Sequence, residues 1–170
     1  RAPISASVAW DGTASSVIME RDSGIAGQPE ASLRAQAERY HVPRIAFVNK
    51  MDCVGADFYK VVERIKERLG ANAVPVQLPV GAEAEFNGII DLVKMTAIQY
   101  KSELGDEFEI TDIPSDMQEI ALKHRERLVE KVAEVNEHLM EKYVEGQKIT
   151  PQEIKAGIRH GTVTNQLVPV

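Results

Sequence analysis

The chain has 170 residues, 44% of them hydrophobic and 27% charged, which suffices for one globular domain or one domain with a small insert. Its formal net charge of −6 argues against a general DNA or RNA binder, because loose affinity for nucleic acid comes mainly from neutralising phosphates with Lys and Arg. A single cysteine, Cys53, excludes an internal disulfide and any multi-cysteine metal site, and no apolar run approaches the roughly 20 residues that span a bilayer, so no membrane role is expected and the cytosol or an organelle matrix is the expected compartment.

Residues 1–28 mix Ser, Ala, Gly and isolated charges without a sustained period, and residues 17–19 are the one short strand they suggest. Pro29 stands where a helix can begin, with Leu33, Ala37 and Tyr40 on one face. After a turn at residues 41–43, Ile45-Ala46-Phe47-Val48 is apolar on both faces, the pattern of a central strand covered on either side. A polar loop, residues 49–56, follows. Asp57 then suits the N-cap of a helix striped by Phe58, Val61, Val62, Ile65 and Leu69 and stopped by Gly70. Strand, loop and helix in this order predict a doubly wound α/β arrangement.

From Val74 the pattern changes. Residues 74–78 are extended and broken by prolines, and strand-like runs at 88–93 and 97–100 flank a short polar turn, which predicts a small antiparallel sheet. An acidic loop over 103–112 leads to Pro114 and to Ser115-x-x-Gln118, a pattern in which each side chain can satisfy a backbone donor of the other. That signal predicts one long helix, residues 115–143, with the stripe Ala121, Leu128, Val132, Val135, Leu139 and Tyr143. Glu119, Lys123, Arg127, Glu130, Glu134, Glu137 and Glu141 lie largely outside the stripe and make an acidic surface. Thr150-Pro151-Gln152-Glu153 repeats the start signal for a last helix faced by Ile154 and Ile158. Residues 167–170 read as the opening of a buried strand that returns to the first part, with the seam between the two parts near Asn72.

The chemistry concentrates in Asn49-Lys50-Met51-Asp52, at the carboxyl end of the expected strand, where open α/β sheets bind ligands. A carboxylate such as Asp52 accepts two parallel hydrogen bonds from the ring N–H and amino group of guanine, whereas adenine offers no matching pair. The wrong base leaves buried polar groups unpaired at roughly 1–3 kcal/mol each. Lys50 can lay its stem on the face of the base, Asn49 can tie the loop and touch the base edge, and Met51 is expected to point into the core. Taken alone, Asn-Lys-x-Asp is short enough to recur by chance, and a solvated loop is its bland reading. His41, His124, His138 and His160 lack the close pairing of a helical metal site and read as surface or packing residues. Nothing pairs Asp91 or Asp106 as an acid–base couple, and Cys53 reads as incidental rather than reactive. No catalytic residue and no metal ligand is assigned.

Context makes the loop specific. Val42-Pro43-Arg44 through Asp52, Gly55-Ala56-Asp57-Phe58-Tyr59, Glu67-Arg68-Leu69-Gly70-Ala71-Asn72, Pro75-Val76-Gln77-Leu78-Pro79-Val80-Gly81-Ala82-Glu83, Phe86-Asn87-Gly88-Ile89-Ile90-Asp91-Leu92 and Leu139-Met140-Glu141-Lys142-Tyr143 together resemble the elongation factor G family of translational GTPases, over residues 38–170. The resemblance implies an α/β fold: part of a Ras-like P-loop GTPase doubly wound sheet (29–72), an inserted α+β subdomain (73–166), and the start of a returning strand (167–170), with 1–28 unmatched. It further implies GTP or GDP held at its guanine end by Asn49, Lys50 and Asp52, with Mg²⁺ serving the parent family. The implied activity is GTP hydrolysis coupled to ribosomal translocation, with the ribosome and the stalk protein of its large subunit as partners. The acidic helix face is then either a partner surface or a merely solvated one.

Hydrolysis needs a Gly-x-x-x-x-Gly-Lys-Ser/Thr loop, Mg²⁺ ligands and groups that orient water. No such loop occurs in these 170 residues, nor the family's Asp-x-x-Gly segment, and the chain stops just before the family's Ser-Ala loop. The chain alone is therefore expected to be inactive, and its coding region truncated or altered upstream. A non-enzymatic, stalk-binding module with an idle nucleotide loop is the alternative. An incomplete sheet also exposes strand edges, so self-association is expected.

Overall fold

The computed structural model describes residues 16–18, 37, 39–102 and 107–170. Its first part forms around the strand that leads into the Asn-Lys-Met-Asp loop. That strand, β2 (Phe47–Asn49), pairs antiparallel with β1 (Ser16–Ile18), Val17 standing opposite Val48. The expectation that residues 45–48 are covered on both faces is corrected here: Ala46 is 3% exposed, but Ile45 and Phe47 are 65% and 63% exposed. Successive side chains of an extended segment point to opposite sides, and the described elements cover only the Ala46 side. Of the helix expected from Pro29, Ala37 and Arg39 are described and helical, and the Val42 N–H closes on the Ala37 carbonyl at 2.9 Å. Its remainder lies outside the described residues.

Helix α1 (Phe58–Leu69) begins where Asp57 accepts the Lys60 N–H at 3.0 Å and ends at Gly70. Its stripe of Phe58, Val61, Val62 and Ile65 is buried, as the spacing requires. The chain end returns as β8 (Val168–Pro169), parallel to β3 (Ala73–Val74). On its other side the Pro169 carbonyl accepts the Ala46 N–H at 2.8 Å. Asn72 bonds twice to the returning segment, from its side chain to the Gln166 carbonyl at 3.1 Å and from the Val168 N–H to its own carbonyl at 2.9 Å.

Between these elements lies a four-stranded antiparallel sheet in the order β4 (Gln77–Val80), β5 (Gly88–Asp91), β6 (Thr96–Tyr100), β7 (Phe108–Thr111). Strand β7 corrects the loop expected over 103–112. Its Phe-Glu-Ile-Thr alternation is a strand signal hidden among acidic neighbours, and Lys101 on the β6 side grips Glu109 at 2.8 Å across the pair. Asp91 is structural: its carboxylate accepts the Val93 and Lys94 N–H groups at 2.8 and 3.0 Å, closing the turn between β5 and β6.

Three helices follow this sheet and pack on one another: α2 (Gln118–Glu134) against both α3 (Glu137–Val144) and α4 (Pro151–Val163), with α4 also against β8. The single helix expected over 115–143 is thus two, and it starts later. Residues 115–117 form a turn, Met117 occupies the N-cap position without a side-chain bond, and Gln118 donates instead to the Ile113 carbonyl at 3.4 Å. The break falls at Asn136, which leaves helical geometry at φ −145° and accepts the Leu139 N–H at 3.1 Å. A side chain that can cap a new helix competes with continuation of the old one. The start of α4 forms as its sequence predicts, with both bonds of the capping box between Thr150 and Glu153. Leu78, Ile90 and Leu92 of the sheet part, Leu128 and Val132 of α2, Ile154 of α4 and Leu167 are all fully buried in one core. Arg125 ties α2 to the sheet by donating to the Leu92 and Val93 carbonyls at 2.6 and 2.9 Å. The class is mixed α/β with parallel and antiparallel pairings, as the sequence predicts.

Candidate functional site

The Asn49 to Asp52 loop leaves β2 at a sharp corner. Asn49, half-buried at the strand end, accepts the Lys50 N–H at 2.8 Å through its own side-chain oxygen. Lys50 then adopts φ 59°, a left-handed conformation that costs a side-chain-bearing residue roughly 1–2 kcal/mol. The turn continues with the Cys53 N–H on the Lys50 carbonyl at 3.2 Å and the Ala56 N–H on the Cys53 carbonyl at 3.1 Å.

This corner separates the four side chains by role. Met51 points inward and is 7% exposed, whereas Lys50 and Asp52 are exposed. Among the described residues the Asp52 carboxylate has no hydrogen-bond or ion-pair partner, in contrast to Asp57 on its helix and Asp91 in its turn. Two free carboxylate oxygens on a braced loop can accept a pair of parallel donors. Asn49, Lys50 and Asp52 therefore stand on one short corner, two of them open to solvent.

Sequence reading missed Glu83. It sits in a 3₁₀ turn, Glu83–Glu85, just after β4, and reaches back to the loop twice. Its N–H donates to the Met51 carbonyl at 2.9 Å, and its carboxylate accepts the Gly55 N–H at 2.7 Å. The trace in the sequence is Gly81, whose φ of 76° and contact with the Glu85 carbonyl leave no room for a β-carbon. A tight turn was legible there, but its contact with a loop about thirty residues earlier was not.

The remaining candidates fall elsewhere. His41, His138 and His160 are exposed; His124 packs 5.6 Å from the Tyr59 ring, and burial, then Arg127, Lys66 and Lys123, lower its pKa. Asp106 lies outside the described residues. Among the described residues no three His, Cys, Asp or Glu side chains are grouped so that they could hold a metal ion. No helix among them is long and apolar enough to cross a membrane.

Comparison with known proteins bears on the whole of this arrangement. The family model described as elongation factor Tu GTP binding domain matches residues 8–168. A solved protein of Thermus thermophilus superposes with a TM-score of 0.71 at 24% identity, over 98% of this chain and 28% of that one. The likeness is one of fold, and the chain spans just over a quarter of the solved protein it matches.

Proposed function

The chain belongs to the family of elongation factor Tu GTP-binding domains, and from that premise we propose that its Asn49 to Asp52 corner recognises the guanine end of GTP or GDP. The observation that carries this reading is the exposed Asp52 carboxylate, without a partner among the described residues, beside a lysine held in a left-handed conformation. In this reading Asp52 accepts the ring N–H and amino group of the base, Lys50 lies along the base face, and Asn49 braces the corner. The finer assignment is to the elongation factor G branch, whose members couple GTP hydrolysis to ribosomal translocation and meet the ribosomal stalk. It rests on the extended sequence resemblance. The residues described supply base selection and none of the phosphate chemistry.

Calorimetry of the purified chain with GDP and GTP tests the reading. The expected result is a dissociation constant tighter than about 10 μM, weakened about 10- to 100-fold by Asp52→Asn, since a charge-assisted pair is worth about 1.5–3 kcal/mol. Xanthine nucleotides, which present an acceptor where guanine has its amino group, are expected to regain affinity for the variant. Undetectable nucleotide binding together with intact binding of a stalk protein would instead favour a non-enzymatic module with an idle loop.

A further inference from the structure

We propose that Glu83 is a positioning residue that latches the guanine-selecting loop from outside, an inference that rests on the base-recognition reading above. The bonds within residues 49–56 are all local: Asn49 to Lys50, Cys53 to Lys50 and Ala56 to Cys53. Bonds of this kind close successive small turns, and the buried Met51 and Ala56 side chains anchor the loop in the core, but none of these is a hydrogen bond from another element to Met51 or Gly55. Among the described residues, the two bonds that reach the loop's Met51 and Gly55 from outside both come from Glu83. One reaches Met51 at 2.9 Å and the other Gly55 at 2.7 Å, so they grip the chain on either side of Asp52.

Glu83 is itself held for this purpose. The Phe86 N–H closes on its carbonyl at 3.1 Å and the Glu85 N–H on the Ala82 carbonyl at 3.0 Å, while Gly81 makes the tight entry to the turn. Glu83 sits at φ 53°, a region where glycine or asparagine is the easier residue. Such strain persists where the surrounding structure over-determines it, and it clusters where geometry serves function. Glycine would keep the backbone bond to Met51 and relieve the strain, but it would lose the carboxylate that accepts the Gly55 N–H. Base selection by a bidentate carboxylate depends on where that carboxylate stands, and misplacement by a fraction of an ångström weakens paired hydrogen bonds. The latch also means that the turn after β4 contributes to a site whose base-contacting residues lie wholly before α1.

The test compares Glu83→Ala, Glu83→Asp and Glu83→Gln with the unmodified chain, using amide exchange at Gly55 and GDP titration, with Asp52→Asn as the base-recognition control. Removing the side chain, or shortening it by one methylene, is expected to speed Gly55 exchange and to weaken GDP by about 10-fold with little change in melting temperature. Glutamine, whose carbonyl oxygen can still accept the Gly55 N–H, is expected to restore both. If Glu83→Asp and Glu83→Ala leave Gly55 exchange unchanged, or speed it without changing GDP affinity, the latch is overturned. If the unmodified chain binds no GDP, or Asp52→Asn has no effect on binding, the base-recognition reading fails and takes the positioning role with it. In that case the Gly55 exchange rates still report whether the contact holds the loop.

Discussion

Gly157 of α4 lies directly against Val132 of α2: a β-carbon built on the glycine would overlap Val132 Cγ1 and come within 2.7 Å of Leu139 Cδ1 on α3. One residue without a side chain thus lets three helices meet. Val132 is fully buried, so it has little room to give. Gly157→Ala gains helix propensity worth about 0.5–1 kcal/mol, but overpacking of a dense core costs typically about 1–3 kcal/mol. Net destabilisation is expected, read as a lower urea midpoint with an unchanged slope. A midpoint equal to or above that of the unmodified chain would show that the helices can separate without cost.

Lys50 invites the opposite experiment. Its left-handed conformation at φ 59° suits glycine, so Lys50→Gly is expected to leave the chain as stable or to stabilise it by up to about 1 kcal/mol. The same change removes the stem proposed to lie on the base, and GDP affinity should fall. Thermal unfolding and calorimetry on one preparation check the pair of outcomes. Loss of both stability and affinity would mean that the lysine side chain is a structural contact.

Glu153 links α3 to α4 through an ion pair with Lys142, and it also accepts the Thr150 N–H and hydroxyl at 2.8 and 2.9 Å. The Lys142 bond first, and then the Thr150 bonds, hold its pKa at about 2, below the ordinary 4.5. A carboxylate whose folded pKa is depressed contributes stability that is present above the unfolded pKa and is lost as pH falls through the folded value. Stability is therefore expected to decline between about pH 4.5 and 2, and Glu153→Gln should flatten that part of the pH profile while lowering stability at neutral pH. Denaturant titrations at several pH values measure both.

His124 shifts in the same sense for a different reason. Burial, followed by the charges of Arg127, Lys66 and Lys123, lowers its pKa from 6.5, so the unfolded chain takes up its proton first on acidification. Its contribution is complete above 6.5 and is lost as the pH drops below that value. His124→Gln is expected to reduce the slope of stability against pH just below neutrality. A slope unchanged by the substitution would assign that pH dependence to other groups.

Much of the fold was legible because its signals are local. The Asp57 cap, the Phe58, Val61, Val62 and Ile65 stripe, the Thr150 and Glu153 capping box and the β5 and β6 strands depend on residues within one or two turns of each other. The misreadings have one cause. Asn136 breaks a helix whose apolar stripe runs straight across the break, and Phe108 and Ile110 form a strand because β6 offers them an edge. Periodicity reports which face is apolar, and it is silent on which competing backbone partner wins.

The candidate site divides in the same way. Sequence alone determined the chemistry, because a carboxylate, an ammonium stem and an amide within four residues have fixed donors, acceptors and reach whatever surrounds them. Met51 turns inward as its sequence suggests, but only the tertiary structure decided that Asp52 stays exposed, that Ile45 and Phe47 are uncovered among the described elements, and that Glu83 bonds to the loop. Those outcomes depend on pairings between residues distant in the chain, whose free energies are set by geometry that no local pattern encodes.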